Sequence, residues 1–124
     1  MIKVILDTNF LIYCAKNKMD YASEIMKIMD EGYELVVPEQ VISELNELSK
    51  SAKKYDDKLG AKIALKILEL NSVKILPVRA KYADDALIRL SKEDRNIVAT
   101  MDLELRKKVF RAILINGKKK LVFD

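Results

Sequence analysis

Asp7, Glu44, Asp85 and Asp102 are spread along a chain of 124 residues, yet each falls where a predicted strand gives way to a helix or one turn inside that helix. Strands lying side by side would bring the four carboxylates to one hole at the edge of a sheet. An all-oxygen cluster suits a hard divalent cation such as Mg²⁺ or Mn²⁺, and metals held in this way hydrolyse phosphodiesters. Each acid has an ordinary explanation when taken singly. Asp7 and Asp102 would serve as helix N-caps, worth about 1 kcal/mol apiece, Glu44 would be an exposed helical Glu, and Asp84-Asp85 an acidic first turn. The set resists that explanation, because clustered carboxylates repel one another and cost stability unless cations occupy the gap.

What the chain lacks narrows the chemistry further. It contains no His, which excludes Ser-His-Asp and Cys-His catalysis, His-bearing zinc sites and His general bases. Cys14, the one cysteine, has no partner for an internal disulfide and sits on an apolar helix face as a small hydrophobe. No GxxxxGK[ST] phosphate loop occurs. A phosphoacceptor domain would need an acidic pair near the first strand and a lysine after a late one, whereas Asp7 stands alone and Ile115 leads to Asn116. A phosphatase of the haloacid dehalogenase type would want a second Asp where Asn9 stands.

The elements that must position the acids follow from hydrophobic periodicity. Ile2 to Leu6 is a continuous β-rich apolar run, as expected of a strand covered on both faces in a parallel sheet. Asp7-Thr8-Asn9 then caps a helix to about Lys16. A second helix is predicted near Tyr21 to Glu31 with Gly32 as its stop, then a strand from Glu34 to Val37. Pro38 opens a helix that buries Val41, Ile42, Leu45 and Leu48. Ser49 to Lys58 is charged, without an apolar period, and is expected to be a loop or frayed helix end, the most mobile part of the chain. Ile63, Leu65, Ile67, Leu68 and Leu70 fall on the next helix. Then come a strand at Val73 to Leu76, a helix at Lys81 to Ser91, a strand at Asn96 to Thr100, a short helix at Leu103 to Val109, and strands at Ala112 to Ile115 and Leu121 to Phe123 around an Asn116-Gly117 turn. Strands alternating with helices imply an α/β fold with a mainly parallel sheet and helices on both faces.

The length fits a single domain over residues 1–124. Half the residues are hydrophobic and 34% are charged, the balance of a compact folded protein. No apolar run approaches the roughly 20 residues that span a bilayer, and a strand begins directly after Met1, so no membrane association and a cytoplasmic location are expected. The net charge of +4 arises from clusters such as Lys53-Lys54, Arg106-Lys107-Lys108 and Lys118-Lys119-Lys120. Basic surface around an acidic pocket favours a polyanion, over a range of about 8 Å at physiological salt.

In order, Val4-Ile5-Leu6-Asp7-Thr8-Asn9-Phe10-Leu11, Val41-Ile42-Ser43-Glu44-Leu45, Ala83-Asp84-Asp85-Ala86-Leu87-Ile88 and Val98-Ala99-Thr100-Met101-Asp102 resemble the PIN-domain ribonucleases. Each motif is weak alone. Together the DTN, SEL, ADDA and ATxD elements run from the first strand to the last and are fairly specific. The resemblance implies a Rossmann-like three-layer α/β/α fold and cleavage of RNA by water activated on Mg²⁺ or Mn²⁺, leaving 5′-phosphate and 3′-hydroxyl ends. It also implies that Asp7, Glu44, Asp85 and Asp102 are the catalytic, metal-holding acids. Adjacent helical side chains point about 100° apart, so one of Asp84 and Asp85 is expected to face the metal. The Ala86-Leu87-Ile88 that follows matches the family pattern for Asp85, with Asp84 as an auxiliary. The family often has another Asp two residues beyond Asp102, where Glu104 stands here as a longer-armed auxiliary. Thr8, Asn9 and Thr100 are expected to orient carboxylates or a metal-bound water, and Arg79, Lys81, Arg106 and Lys107 to hold flanking phosphates.

Within the family, the Asp7-Thr8-Asn9-Phe10 start and the Tyr82-Ala83-Asp84-Asp85 segment look most like the branch related to small-subunit rRNA-processing factors, which implies RNA and a ribosomal assembly partner. The alternative branch is the VapC-like toxins, which pair with an antitoxin and cut tRNA or rRNA. A non-catalytic RNA-binding or ribosome-assembly module is the alternative outside catalysis. Family members often form homodimers. Tyr13, Tyr55 and Tyr82 are candidates for stacking on bases.

Overall fold

The computed structural model describes residues 1–93, 95–117 and 119–124. Its elements run β1 (Ile2–Leu6), α1 (Thr8–Lys16), α2 (Tyr21–Ile28), β2 (Tyr33–Pro38), α3 (Glu39–Ser51), α4 (Tyr55–Leu70), β3 (Lys74–Leu76), α5 (Ala83–Ser91), β4 (Ile97–Ala99), α6 (Leu103–Lys108), β5 (Ala112–Asn116) and β6 (Lys120–Phe123). The strands form one sheet in the order β3-β2-β1-β4-β5-β6, parallel except for the last, which returns antiparallel to β5. Strand order reverses on the two sides of β1. In open parallel sheets that reversal opens a crevice beyond the carboxyl ends of the strands, because the connections leave in opposite directions.

The alternation of side chains along β1 builds two cores. Ile2, Val4 and Leu6 pack on one face with Phe10, Leu11, Tyr21, Ile25, Val41 and Leu45, and Ile5 packs on the other with Leu87, Leu90 and Leu105. The first core lies under α1 to α4 and the second under α5 and α6, giving three layers. Phe10 meets Tyr21 edge to face with centroids 6.1 Å apart, a favoured aromatic geometry. Cys14 is buried here, and desolvation pushes its thiol up to about 12, which leaves it a packing residue.

Two local expectations need correction. Ser49 to Lys58 is mostly helical: α3 runs to Ser51 and α4 starts at Tyr55, so only Ala52 to Lys54 connects them. Charge hid this, since the two helix ends are solvated, and α4 is fixed there by acids in its first turn and an ion pair from Asp57 to Lys16. α4 buries Gly60, Ala61, Ala64 and Leu68, while Ile63 and Leu70 are exposed. Finally, α2 stops at Ile28 with Met29 as its cap, so Gly32 is not its terminator.

Small residues on α4 allow a close helix crossing. A Cβ on Gly60 would stand 3.2 Å from Ile12 Cγ2 and 3.3 Å from Lys16 Cγ, both on α1. Gly60→Val should therefore push the two helices apart and destabilise the protein by about 1–3 kcal/mol, read as a lowered denaturation midpoint. An unchanged midpoint would show that the crossing is loosely packed.

Candidate active site

β1 delivers Asp7 to the crevice. Its backbone N–H still donates to Ala99 O of β4 (3.1 Å), while its extended backbone caps α1. The carboxylate is tied at both oxygens: Oδ1 accepts from Thr8 N–H (2.7 Å) and Oδ2 from the Thr100 hydroxyl (2.8 Å). Thr100 Oγ1 in turn accepts from the Asp102 N–H (3.0 Å), so one buried hydroxyl couples the residues that follow β1 and β4. Asp102 caps α6, its Oδ1 accepting from the N–H groups of Glu104 (2.9 Å) and Leu105 (3.3 Å). Only 5% of Asp7 is exposed. Burial raises its pKa from about 3.8 to about 6, assisted by the negative charges of Asp84 and Glu44 and opposed by the bonds from Thr100 and Thr8.

Glu44 comes from the second turn of α3 and is likewise raised, first by desolvation and then by Asp84. The buried Thr8 hydroxyl reaches toward the Glu44 carboxylate and lowers that pKa, without closing a hydrogen bond of regular geometry. α5 supplies Asp84 and Asp85 from its exposed first turn. Both line the cleft, and Asp84 is the one whose charge is felt by Asp7 and by Glu44. The resulting cleft, about 560 Å³, is lined by Asp7, Asn9, Glu44, Asp84, Asp85, Asp102 and Glu104, with Tyr82 and Lys108 at its rim.

The cations are arranged differently from the expected rim. Arg106 is engaged by Asp124, through Nε (2.6 Å) and NH2 (2.5 Å), and Lys107 pairs with Glu104 at 3.5 Å. Lys108 lines the cleft instead. It lies four residues beyond Glu104, on the same face of α6, a phase that composition alone does not reveal. Arg79 is exposed, and Lys81 lies over the ring of Tyr82, 5.3 Å from its centroid. Lys118 falls outside the described residues. Tyr13 packs against the larger core, while Tyr55 and Tyr82 are exposed. Lys108→Ala should weaken RNA binding several-fold and flatten its salt dependence, whereas Arg106→Ala should alter stability by less than about 1 kcal/mol and leave binding within twofold. Fluorescence anisotropy at two salt concentrations checks both, and equal losses in the two variants would contradict this assignment.

Carboxylates dominate the cleft, and this donor chemistry suits a hard divalent cation. Among the described residues, no group of three or more His, Cys, Asp or Glu side chains is placed so that it could hold a metal ion. The pKa values of Asp7 and Glu44 are both raised, first by desolvation and further by neighbouring carboxylates.

A mainly parallel sheet in this strand order, with an acidic cleft at its reversal point, defines a three-layer α/β domain. Residues 4–115 match the PIN-like domain family, and the chain belongs to it. Over 111 residues it is 38% identical to ribonuclease VapC4 of Methanocaldococcus jannaschii, covering 88% of this chain and 83% of that protein. The structure of the PIN domain endonuclease Utp24 superposes with a TM-score of 0.79 at 25% identity, covering 98% of this chain and 90% of that one. A domain of a functionally unknown protein from Methanocaldococcus jannaschii shares the fold, with a TM-score of 0.59 at 18% identity over 98% and 96% of the two chains. Among the described residues no helix is long and apolar enough to cross a membrane.

Proposed function

We propose that the chain is a metal-dependent endoribonuclease. The observation that carries this is Asp7, buried and held near 6, in a cleft where Glu44, Asp84, Asp85, Asp102 and Glu104 add charge of the same sign. Asp7, Glu44, Asp102 and one or both of Asp84 and Asp85 would hold Mg²⁺ or Mn²⁺. When bound, such an ion neutralises the phosphate and makes water a competent nucleophile at neutral pH. The protein's own groups orient and bind. Thr100 holds Asp7 Oδ2 in place, Asn9 offers an amide to the cleft, and Lys108 supplies the positive charge that retains the RNA backbone.

Incubating end-labelled single-stranded RNA with the protein and Mn²⁺, Mg²⁺ or EDTA tests this. Cutting with either metal, silenced by EDTA, and products ending in 5′-phosphate and 3′-hydroxyl are expected. Ends bearing 2′,3′-cyclic phosphate would mean attack by the RNA's own 2′-hydroxyl and overturn the water mechanism. Binding without cutting would favour the non-catalytic RNA-binding role. As to cellular role, the 38% identity to ribonuclease VapC4 favours a toxin-type nuclease with an antitoxin partner; the rRNA-processing alternative rests on the resemblance of the Asp7-Thr8-Asn9-Phe10 and Tyr82-Ala83-Asp84-Asp85 segments, and the likeness to the PIN domain endonuclease Utp24 supports an endonuclease. Growth arrest on expression, relieved by the product of a neighbouring small gene, would select the first.

A further inference from the structure

A second cleft of about 500 Å³ adjoins the first and shares Glu44, Tyr82 and Ala83 with it. Its other lining comes from Glu39, Gln40, Ser43 and Glu47 of α3 and from Ala80 and Lys81 in the segment before α5. Glu39, Ser43 and Glu47 recur every four residues, so they form one row along the helix. Gln40 fixes the opposite wall: its Nε2 donates to Val78 O and to Ala80 O, both at 2.6 Å. Carbonyl oxygens only accept, so the amide orientation is determined, and Oε1 is left as a buried acceptor without a protein partner among the described residues. Tyr82 stands between the clefts, 61% exposed, with the Lys81 ammonium over its ring.

A phosphate would meet three glutamates against the one lysine, Lys81, here, whereas a nucleobase would find a ring to stack on and a row of hydrogen-bond acceptors. We infer that this second cleft is a nucleobase subsite for the nucleotide next to the scissile phosphate, with Tyr82 as the stacking platform and the Glu39–Ser43–Glu47 row as its reading edge. The inference rests on the nuclease function proposed above. Ionised carboxylates only accept, so they select bases that present donors. Guanine does this best, because its N1–H and exocyclic amine lie side by side and match the two oxygens of one carboxylate. Cytosine and adenine offer one amine each beside an acceptor, and uracil offers a single N–H.

The test maps cut sites in a set of single-stranded RNAs that differ only in the placement of one guanine, with Mn²⁺ as the metal. Cuts are expected to follow the guanine. Tyr82→Ala should lower kcat/KM by roughly 5- to 150-fold, the worth of one base stacked on an aromatic ring, while Tyr82→Phe retains most of it. Glu47→Gln should narrow the ratio between guanine and cytosine substrates. Cleavage by Tyr82→Ala at the wild-type rate and positions would overturn the subsite and leave the nuclease standing. If wild-type protein cuts nothing with either metal, the nuclease proposal fails and the subsite is read by anisotropy: guanine and cytosine RNAs binding equally to wild type and Tyr82→Ala would overturn it as well.

Discussion

Asp7→Asn is expected to abolish RNA cleavage and, at neutral pH, to make the metal-free protein more stable. The loss of activity should exceed the 10- to 100-fold typical of an outer hydrogen-bonding partner, because Asp7 is itself a proposed ligand. The gain in stability follows from linkage. In the folded protein Asp7 titrates near 6, against about 3.8 when solvated. Between these values the folded chain binds a proton that the unfolded chain does not. Protonation thus adds stability that is fully present below about pH 3.8 and is lost as pH rises through about 6. The gap corresponds to about 3 kcal/mol, and only 5% of the residue is exposed, so solvent screens little of it. Asn cannot ionise, and its carbonyl can still accept one of the two bonds. Urea denaturation from pH 3.5 to 8 should show the variant gaining on the wild type between about pH 4 and 6 and staying ahead above that. Parallel curves for the two proteins would mean that Asp7 carries no such burden.

Thr100→Val should produce the second-largest effect without touching a charge. Valine keeps the shape of a fully buried side chain but removes the hydroxyl that donates to Asp7 and accepts from the Asp102 N–H. Losing these bonds at a buried site should cost about 1–3 kcal/mol. The Thr100 bond also lowers the pKa of Asp7, so the variant should hold its Asp7 proton to higher pH. Cleavage and Mn²⁺ affinity should fall by about 10- to 100-fold, with the acid limb of the activity profile moved upward. Metal titration by calorimetry together with a pH-rate profile checks this. A variant that is less stable but binds Mn²⁺ as the wild type does would make Thr100 a structural strut only.

The fold was legible where burial imposed periodicity. β1 to β6 and their intervening helices fall within a few residues of expectation, because apolar runs bounded by Asp7, Pro38 and Gly117 leave little freedom. The segment around Ser49 to Lys58 was obscured because helix ends that face water carry no apolar signal, and the acids that begin α4 read equally well as a loop. In the cleft, Asp7 and Asp102 could be located from the strand ends they follow, whereas Glu44 and the choice of Asp85 over Asp84 rested on the family resemblance; all of them line the one cleft. The distribution of cations could not be found that way: whether Arg106, Lys107 or Lys108 faces the cleft depends on α6 phase and on an ion pair to Asp124, 18 residues away. The two oxygens of Asp7 were equally hidden, since Thr100, 93 residues distant, meets it only through strand order.

That same separation has a consequence during synthesis. β1 occupies the middle of the sheet, yet its β4 neighbour is translated much later, and the Thr100 hydroxyl that completes the Asp7 environment follows at the same distance of 93 residues. At about 5–20 residues per second, roughly 5–20 s pass between the two. Throughout that interval the growing chain has its first acid without its counterpart, so a nascent or prematurely terminated product lacks an assembled cleft. Strand order thereby sets the earliest point in synthesis at which the Asp7 environment can form, the emergence of Thr100.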